Sequence, residues 1–255
     1  MPHEASGSPS SHSSALVRVV TGHVVSSGSM VSRAYLTDEW RGIAVGDSDG
    51  GHWLVCTLDA LAPDREGLLI RGEEESGLPR EYAKATLTKI VISWMGPGGP
   101  SDEPIEITIA NPRVFVHPDG SSIGVVSLDR KTGFAGYVDA GTGPRCHDLA
   151  GTDATVGDFE IETLFDAGDD SFWSVRRRAW PSSISGTGFL GQAGALALDV
   201  AIDDRDAGSP AFGFGEPDFV LHGVVRPVGA HVAMLLPTRL IEETVTHAQA
   251  GDGLI

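Results

Sequence analysis

Cysteine is nearly missing from this chain, with only Cys56 and Cys146 in 255 residues. That leaves no disulfide framework of the kind small secreted β proteins carry, so a reducing, cytoplasmic setting is expected. Positive charge is scarce as well. Lys and Arg together number 18 against 35 Asp and Glu, a net charge of −17, and such a surface repels a phosphate backbone on average. Nucleic acid is therefore not an expected partner. Apolar runs are short: no stretch reaches the ~18 consecutive apolar residues that a spanning helix needs. The first residues show neither a basic n-region nor an apolar h-region, so no membrane association is expected. The single basic run, Arg176-Arg177-Arg178 in SFWSVRRRAW, reads as solvated arginines on an alternating strand.

What the sequence does contain is β-structure punctuated by turns. Residues 1–14 are dominated by Ser, Gly, Pro and His, too polar to offset the entropy of ordering, and read as a disordered tail. From Ala15 onward, runs such as ALVRVV, RGIAVG, HWLVCTL, IEITIA, RVFVH, SIGVVSL, GFAGYV, FEIETLF, ALALDVAI, FVLHGVV and HVAMLLP alternate with Gly, Asp and Pro. Many short strands with frequent turn signals predict an all-β protein of barrels or sandwiches. The Gly- and Thr-rich stretch 139–158 divides the strands into a first set (15–138) and a second (159–255). Helix is expected only at the end. There TRLIEETVTHAQAG offers Thr238 as N-cap, an apolar stripe at Leu240, Ile241 and Val245, and Gly251 just past the stop.

Motifs for bound groups are weak. GTGFLG, from Gly186 to Gly191, matches the dinucleotide fingerprint in letters only. No helix pattern follows it, and the βαβ alternation such a site needs is missing. In RCHD, Arg145 to Asp148, metal-ligand types are consecutive, and consecutive residues rarely converge on one ion. The runs Glu73-Glu74-Glu75 and Asp203-Asp204 read as solvated turns. No cofactor and no metal are expected.

One segment is more specific. RDAGSPAF, Arg205 to Phe212, resembles the nucleophile loop of trypsin-like serine proteases, where Gly-Asp-Ser-Gly-Gly/Ser-Pro precedes an apolar strand. GIAVGDSDGGHWLVCTLDAL and HPDGSSIGVVSL resemble, in the right chain order, the segments that carry the family's general-base histidine and orienting aspartate. The likeness runs from about Ser29 to His247. It implies the chymotrypsin fold: two six-stranded antiparallel β-barrels, followed by a C-terminal helix packed on one of them. It also places the family's three catalytic roles on Asp59, Ser122 and Ala207. That chemistry needs a hydroxyl, an imidazole to take its proton and a carboxylate to orient the imidazole, and none of the three positions has the required group.

Nothing nearby takes over. Ser209 lies two residues past the nucleophile position, and His52 lies about 23 Å of strand before Asp59. His117, His222 and His231 neighbour apolar strand residues and read as structural. By resemblance, the backbone N–H groups of Arg205 and Ala207 would form an oxyanion-hole-like acceptor pocket. Arg226 to Val228 would form the edge to which an extended peptide adds as a strand, with Pro227 tolerated if its missing N–H faces no partner. Asp59 would then draw a basic side chain into the cleft. The expected function is a catalytically degenerate pseudoprotease, a serine protease homologue binding a protein or an extended peptide. The alternatives are an active hydrolase with relocated groups and an unrelated all-β interaction domain.

Overall fold

The alternation in RGIAVG and HWLVCT puts apolar side chains on both faces of their strands, which requires two cores rather than one. The computed structural model, which describes residues 16–27, 30–62, 64–69, 82–96, 103–118, 122–148, 157–166, 172–182, 195–215, 220–229 and 231–255, shows where each face goes. Ala44, Leu54 and Cys56 point into a core with Val17, Val19, Ile90, Ile92, Ile107 and Val126. Their neighbours Ile43, Val45, Trp53 and Val55 point the other way, into a second core shared with Phe212, Val224, Met234 and Leu236. A third core, built on Phe159, Ile161, Leu198, Val225 and Leu235, fills the later part of the chain.

The first sheet comprises β1 (Leu16–Ser27), β2 (Met30–Gly46), β3 (His52–Thr57), β4 (Asp64–Leu69), β5 (Tyr82–Trp94), β6 (Ile105–Ala110), β7 (Val114–Val116), β8 (Ile123–Ser127) and β9 (His147–Asp148). Its order is β4-β5-β1-β2-β3-β8-β7, with β6 on β5 and β9 parallel to β2. It curls so that strands from both ends of this order share the first core. The second sheet is a closed six-stranded barrel, β10-β11-β12-β15-β14-β13, formed by β10 (Phe159–Asp166), β11 (Phe172–Pro181), β12 (Leu196–Asp199), β13 (Pro210–Gly213), β14 (Leu221–Gly229) and β15 (Val232–Pro237). The expected all-β architecture of two barrel-like antiparallel sheets and a terminal helix is the observed one, although the first sheet holds nine strands rather than six.

Among the described residues, three α-helices accompany the sheets: α1 (Leu58–Leu61), α2 (Phe134–Asp139) and α3 (Thr238–Ala250). Among the described residues no helix is long and apolar enough to cross a membrane. α3 does not pack on one barrel, as expected, but on both. Its Ile241, Val245 and Ala248 fill the middle core between Ile123 and Val125 of β8 and Met234 and Leu236 of β15. The Asp47 carboxylate fastens it further, accepting from the Gly51 and Asp49 N–H groups, Trp53 Nε1 at 2.7 Å and Gln249 Nε2 at 2.8 Å. Burial pushes this carboxyl up, but the four donors outweigh it and hold it below the usual range.

Local details depart from the sequence expectation. GFAGYV is a helix, not a strand: Gly133 at φ 74° turns the chain into α2. Phe134 is then buried edge-on against Trp94 and His52, at 5.8 and 5.6 Å between ring centroids. Thr238 is the first helical residue and not the cap. The cap is Pro237, whose fixed φ suits a helix entrance and which has no side-chain acceptor. Gly251 closes α3 at φ 84°, a conformation glycine adopts without a Cβ penalty. The stretch 139–158 holds β9, and its residues 149–156 lie outside the described residues, as do the 1–14 tail, GTGFLG and Glu73 to Glu75.

Candidate functional site: the inter-barrel cleft

Asp59 and Ser122 meet at the seam between the sheets, and a residue from the second barrel holds them together. β3 ends at Thr57 and turns directly into α1, which Ala60 and Leu61 anchor by burial, leaving Asp59 on the open side with 48% of its side chain exposed. The Leu58 N–H donates to the Ser122 carbonyl at 2.6 Å and ties α1 to the start of β8. From β14, Arg226 donates Nε to Asp59 Oδ2 at 2.8 Å and Nη1 to Ser122 Oγ at 3.1 Å. The attraction expected between Asp59 and an incoming cation is thus directed to a cation of the chain itself. The pair is half-exposed and adds at most ~1 kcal/mol to stability, so its importance lies in position.

The third position, Ala207, sits in the loop that docks the second barrel on the first. The Ala207 carbonyl accepts from the Arg41 N–H of β2 at 3.2 Å, while Gly208 and Ser209 exchange hydrogen bonds with Val225 of β14, both at 2.9 Å. Gly208, at φ 95°, lies so close to β2 that a Cβ there would stand 2.0 Å from the Arg41 carbonyl oxygen. Ser209 is fully buried, and its Oγ has no hydrogen-bond partner among the described residues. It is no exposed nucleophile.

The acceptor pocket expected from the Arg205 and Ala207 N–H groups is closed. Asp204–Asp206 form a 3₁₀ turn capped reciprocally: Asp203 Oδ1 accepts from the Arg205 N–H at 2.8 Å, and Asp206 Oδ2 accepts from the Asp203 N–H at 3.2 Å. The following N–H groups of Asp206, Ala207, Gly208 and Ser209 donate to Asp203, Asp204, Val225 and Asp206 carbonyls respectively. Every N–H from Arg205 to Ser209 is therefore engaged inside the protein. The spacing Asp203-x-x-Asp206 is that of a capping box, a signal that reading these acids as solvated turns overlooked. Burial pushes the Asp206 carboxyl up; the Asp203 N–H and the charges of Arg177 and Arg41 offset this only in part.

The edge expected at Arg226 to Val228 is largely used up. Val225 turns its backbone groups toward Gly208 and Ser209. Alternation therefore turns those of Arg226 toward its β15 partner Met234 and those of Pro227 outward. A proline is tolerated there because no strand among the described residues faces it. The outer edge at that point consequently offers a carbonyl and no donor. The remaining candidates are elsewhere: His222 is buried edge-on against Phe159, His117 faces Glu243 of α3 at 3.6 Å, and His147 of the RCHD stretch packs on Phe212. Among the described residues no group of three His, Cys, Asp or Glu side chains could hold a metal ion.

Two curled antiparallel sheets that meet at a seam, with a C-terminal helix across them, match the chymotrypsin-like protease fold. Solved structures with this architecture superpose over nearly the whole chain. A thermostable serine protease, AL20, from an extremophilic microorganism matches with a TM-score of 0.57 at 8% identity over 95% of this chain and all of its own. Deg5 matches with 0.53 at 12% identity over 95% and 92%, and catalytically inactive tobacco etch virus protease in complex with substrate with 0.52 at 10% identity over 96% and 87%. At such identities the likeness shows the fold alone. No protein-family profile and no curated protein sequence matches the chain.

Proposed function

We propose that this protein is a non-catalytic member of the chymotrypsin-fold group, a pseudoprotease that binds an extended peptide or a partner protein. The observation that carries this reading is the engagement of all five N–H groups from Arg205 to Ser209 within the protein. Acyl transfer requires preorganised donors aimed at the developing oxyanion, and here they are turned inward. The cleft positions agree: Asp59, Ser122 and Ala207 supply a carboxylate, a hydroxyl and a methyl, and Arg226 lies between the first two. Peptide binding is supported by the substrate-bound state of the tobacco etch virus protease, which has this fold.

The test is exposure of the purified protein to a fluorophosphonate probe and to peptide and ester substrates. No labelling and no turnover are expected. Labelling abolished by Ser209→Ala or Ser122→Ala would establish instead an active hydrolase with relocated groups.

A further inference from the structure

Arg226 keeps donors that the described residues do not engage. A guanidinium carries five N–H donors, and the described residues engage Nε with Asp59 and one hydrogen of Nη1 with Ser122. Nη2 has no partner among them, and 34% of the side chain is exposed. The two contacts come from α1 and from the start of β8, while Arg226 itself comes from β14, so three separate elements fix the orientation of the guanidinium. Its rotamer freedom is already spent before any ligand arrives, which is the usual way a site lowers the entropic cost of binding. Asp59 engages Nε and Ser122 one hydrogen of Nη1, which leaves Nη2, among the described residues, for a second anion. Beside it lie the outward carbonyl of Pro227 and the exposed side chain of Val228.

We propose that Arg226, held by Asp59 and Ser122, is a carboxylate-binding group, and that the cleft takes an extended peptide presenting an acidic side chain or a free C-terminal carboxylate. The inference rests on the peptide-binding reading above and gives it a ligand class. Planar, fork-like donors match a carboxylate two at a time, and the Pro227 carbonyl can accept one backbone N–H of the same peptide. The selectivity is opposite to that expected from Asp59 alone, because the charge of Asp59 is answered within the chain.

The experiment uses two synthetic random octapeptide libraries, one with amidated and one with free C-termini, both acetylated at the N-terminus and selected on the full-length protein. The expected result is enrichment of Asp or Glu at one position in the amidated library or, if the terminal carboxylate is the ligand, recovery from the free-acid library alone. Selected peptides should bind Arg226→Gln at least tenfold more weakly, equal to about 1.4 kcal/mol. Arg226→Lys keeps the charge but loses the two-point hold, and should weaken binding several-fold. If thermal melting shows Arg226→Gln unfolded, Arg226→Lys carries the test. Enrichment of Lys or Arg, or affinities within twofold of wild type in both variants, would overturn the carboxylate assignment and leave peptide binding standing. Recovery of no peptide from either library would overturn both.

Discussion

Replacing Gly208 with alanine tests whether the RDAGSPAF loop is kept by catalysis or by architecture. The new Cβ would lie 2.0 Å from the Arg41 oxygen and 2.9 Å from its carbon, so the loop must retreat from β2 by more than 1 Å to reach an ordinary contact of about 3.4 Å. Three hydrogen bonds lie in that path: Arg41 N–H to Ala207, Gly208 N–H to Val225 and Val225 N–H to Ser209. At ~1 kcal/mol net each they amount to ~3 kcal/mol. The positive φ adds ~1–2 kcal/mol for any residue with a Cβ. The expected loss is ~4–5 kcal/mol, a large part of the total stability of a typical domain, and at ~2–4 °C per kcal/mol it lowers Tm by about 10–15 °C. Gly50→Ala is the control, since Gly50 has φ 79° but nothing within 4 Å of the new Cβ; it isolates the conformational cost at ~1–2 kcal/mol. Thermal and urea unfolding by circular dichroism measure both. Equal losses in the two variants would refute the claim that the loop is a structural seam between the barrels.

Two further outcomes follow from the same loop. Asp206→Asn keeps an oxygen for the Asp203 N–H and removes a buried carboxylate whose pKa is raised. The wild-type penalty is then full above the raised pKa and vanishes once the carboxyl is protonated, so the variant should melt higher at pH 7, with the gap closing as the pH falls through the carboxylate range. A gap constant with pH would show that Asp206 is not strained by burial. Rebuilding the side chains by Asp59→His, Ser122→Asp and Ala207→Ser together should restore no measurable ester turnover, because the inward-facing N–H groups leave an oxyanion without donors. Turnover in that triple variant would show that the turn opens readily.

The β-strands, their chain order and the Gly251 stop are legible in the sequence because they depend on alternation and on local backbone preference. Pro227 was readable in the same way, as a residue that demands an unpaired edge. What escaped depends on distance along the chain. Arg226 meets Asp59 across 167 residues and Ser122 across 104, and no local pattern announces such a pairing. GFAGYV failed for a related reason: its apolar residues suit a strand or a short helix equally, and the choice falls to Trp94 and His52, which receive Phe134. The closed donors at Arg205 and Ala207 were within reach of local reasoning through the Asp203 and Asp206 spacing, yet resemblance to an active loop pointed the other way.

The placement of α3 bears on how the chain is made. Ile43, Val45, Trp53, Val55, Ile123 and Val125 form an apolar outer face on the first sheet, and Ile241, Val245 and Ala248 of α3 help to cover it. During synthesis that face emerges more than a hundred residues before the helix that seals it. The first sheet therefore waits with an exposed sticky surface, the condition under which nascent chains associate wrongly or recruit chaperones. A chain interrupted before Thr238 lacks the part of that cover which Ile241, Val245 and Ala248 supply and keeps only the part that Phe212, Val224, Met234 and Leu236 bring from the second barrel.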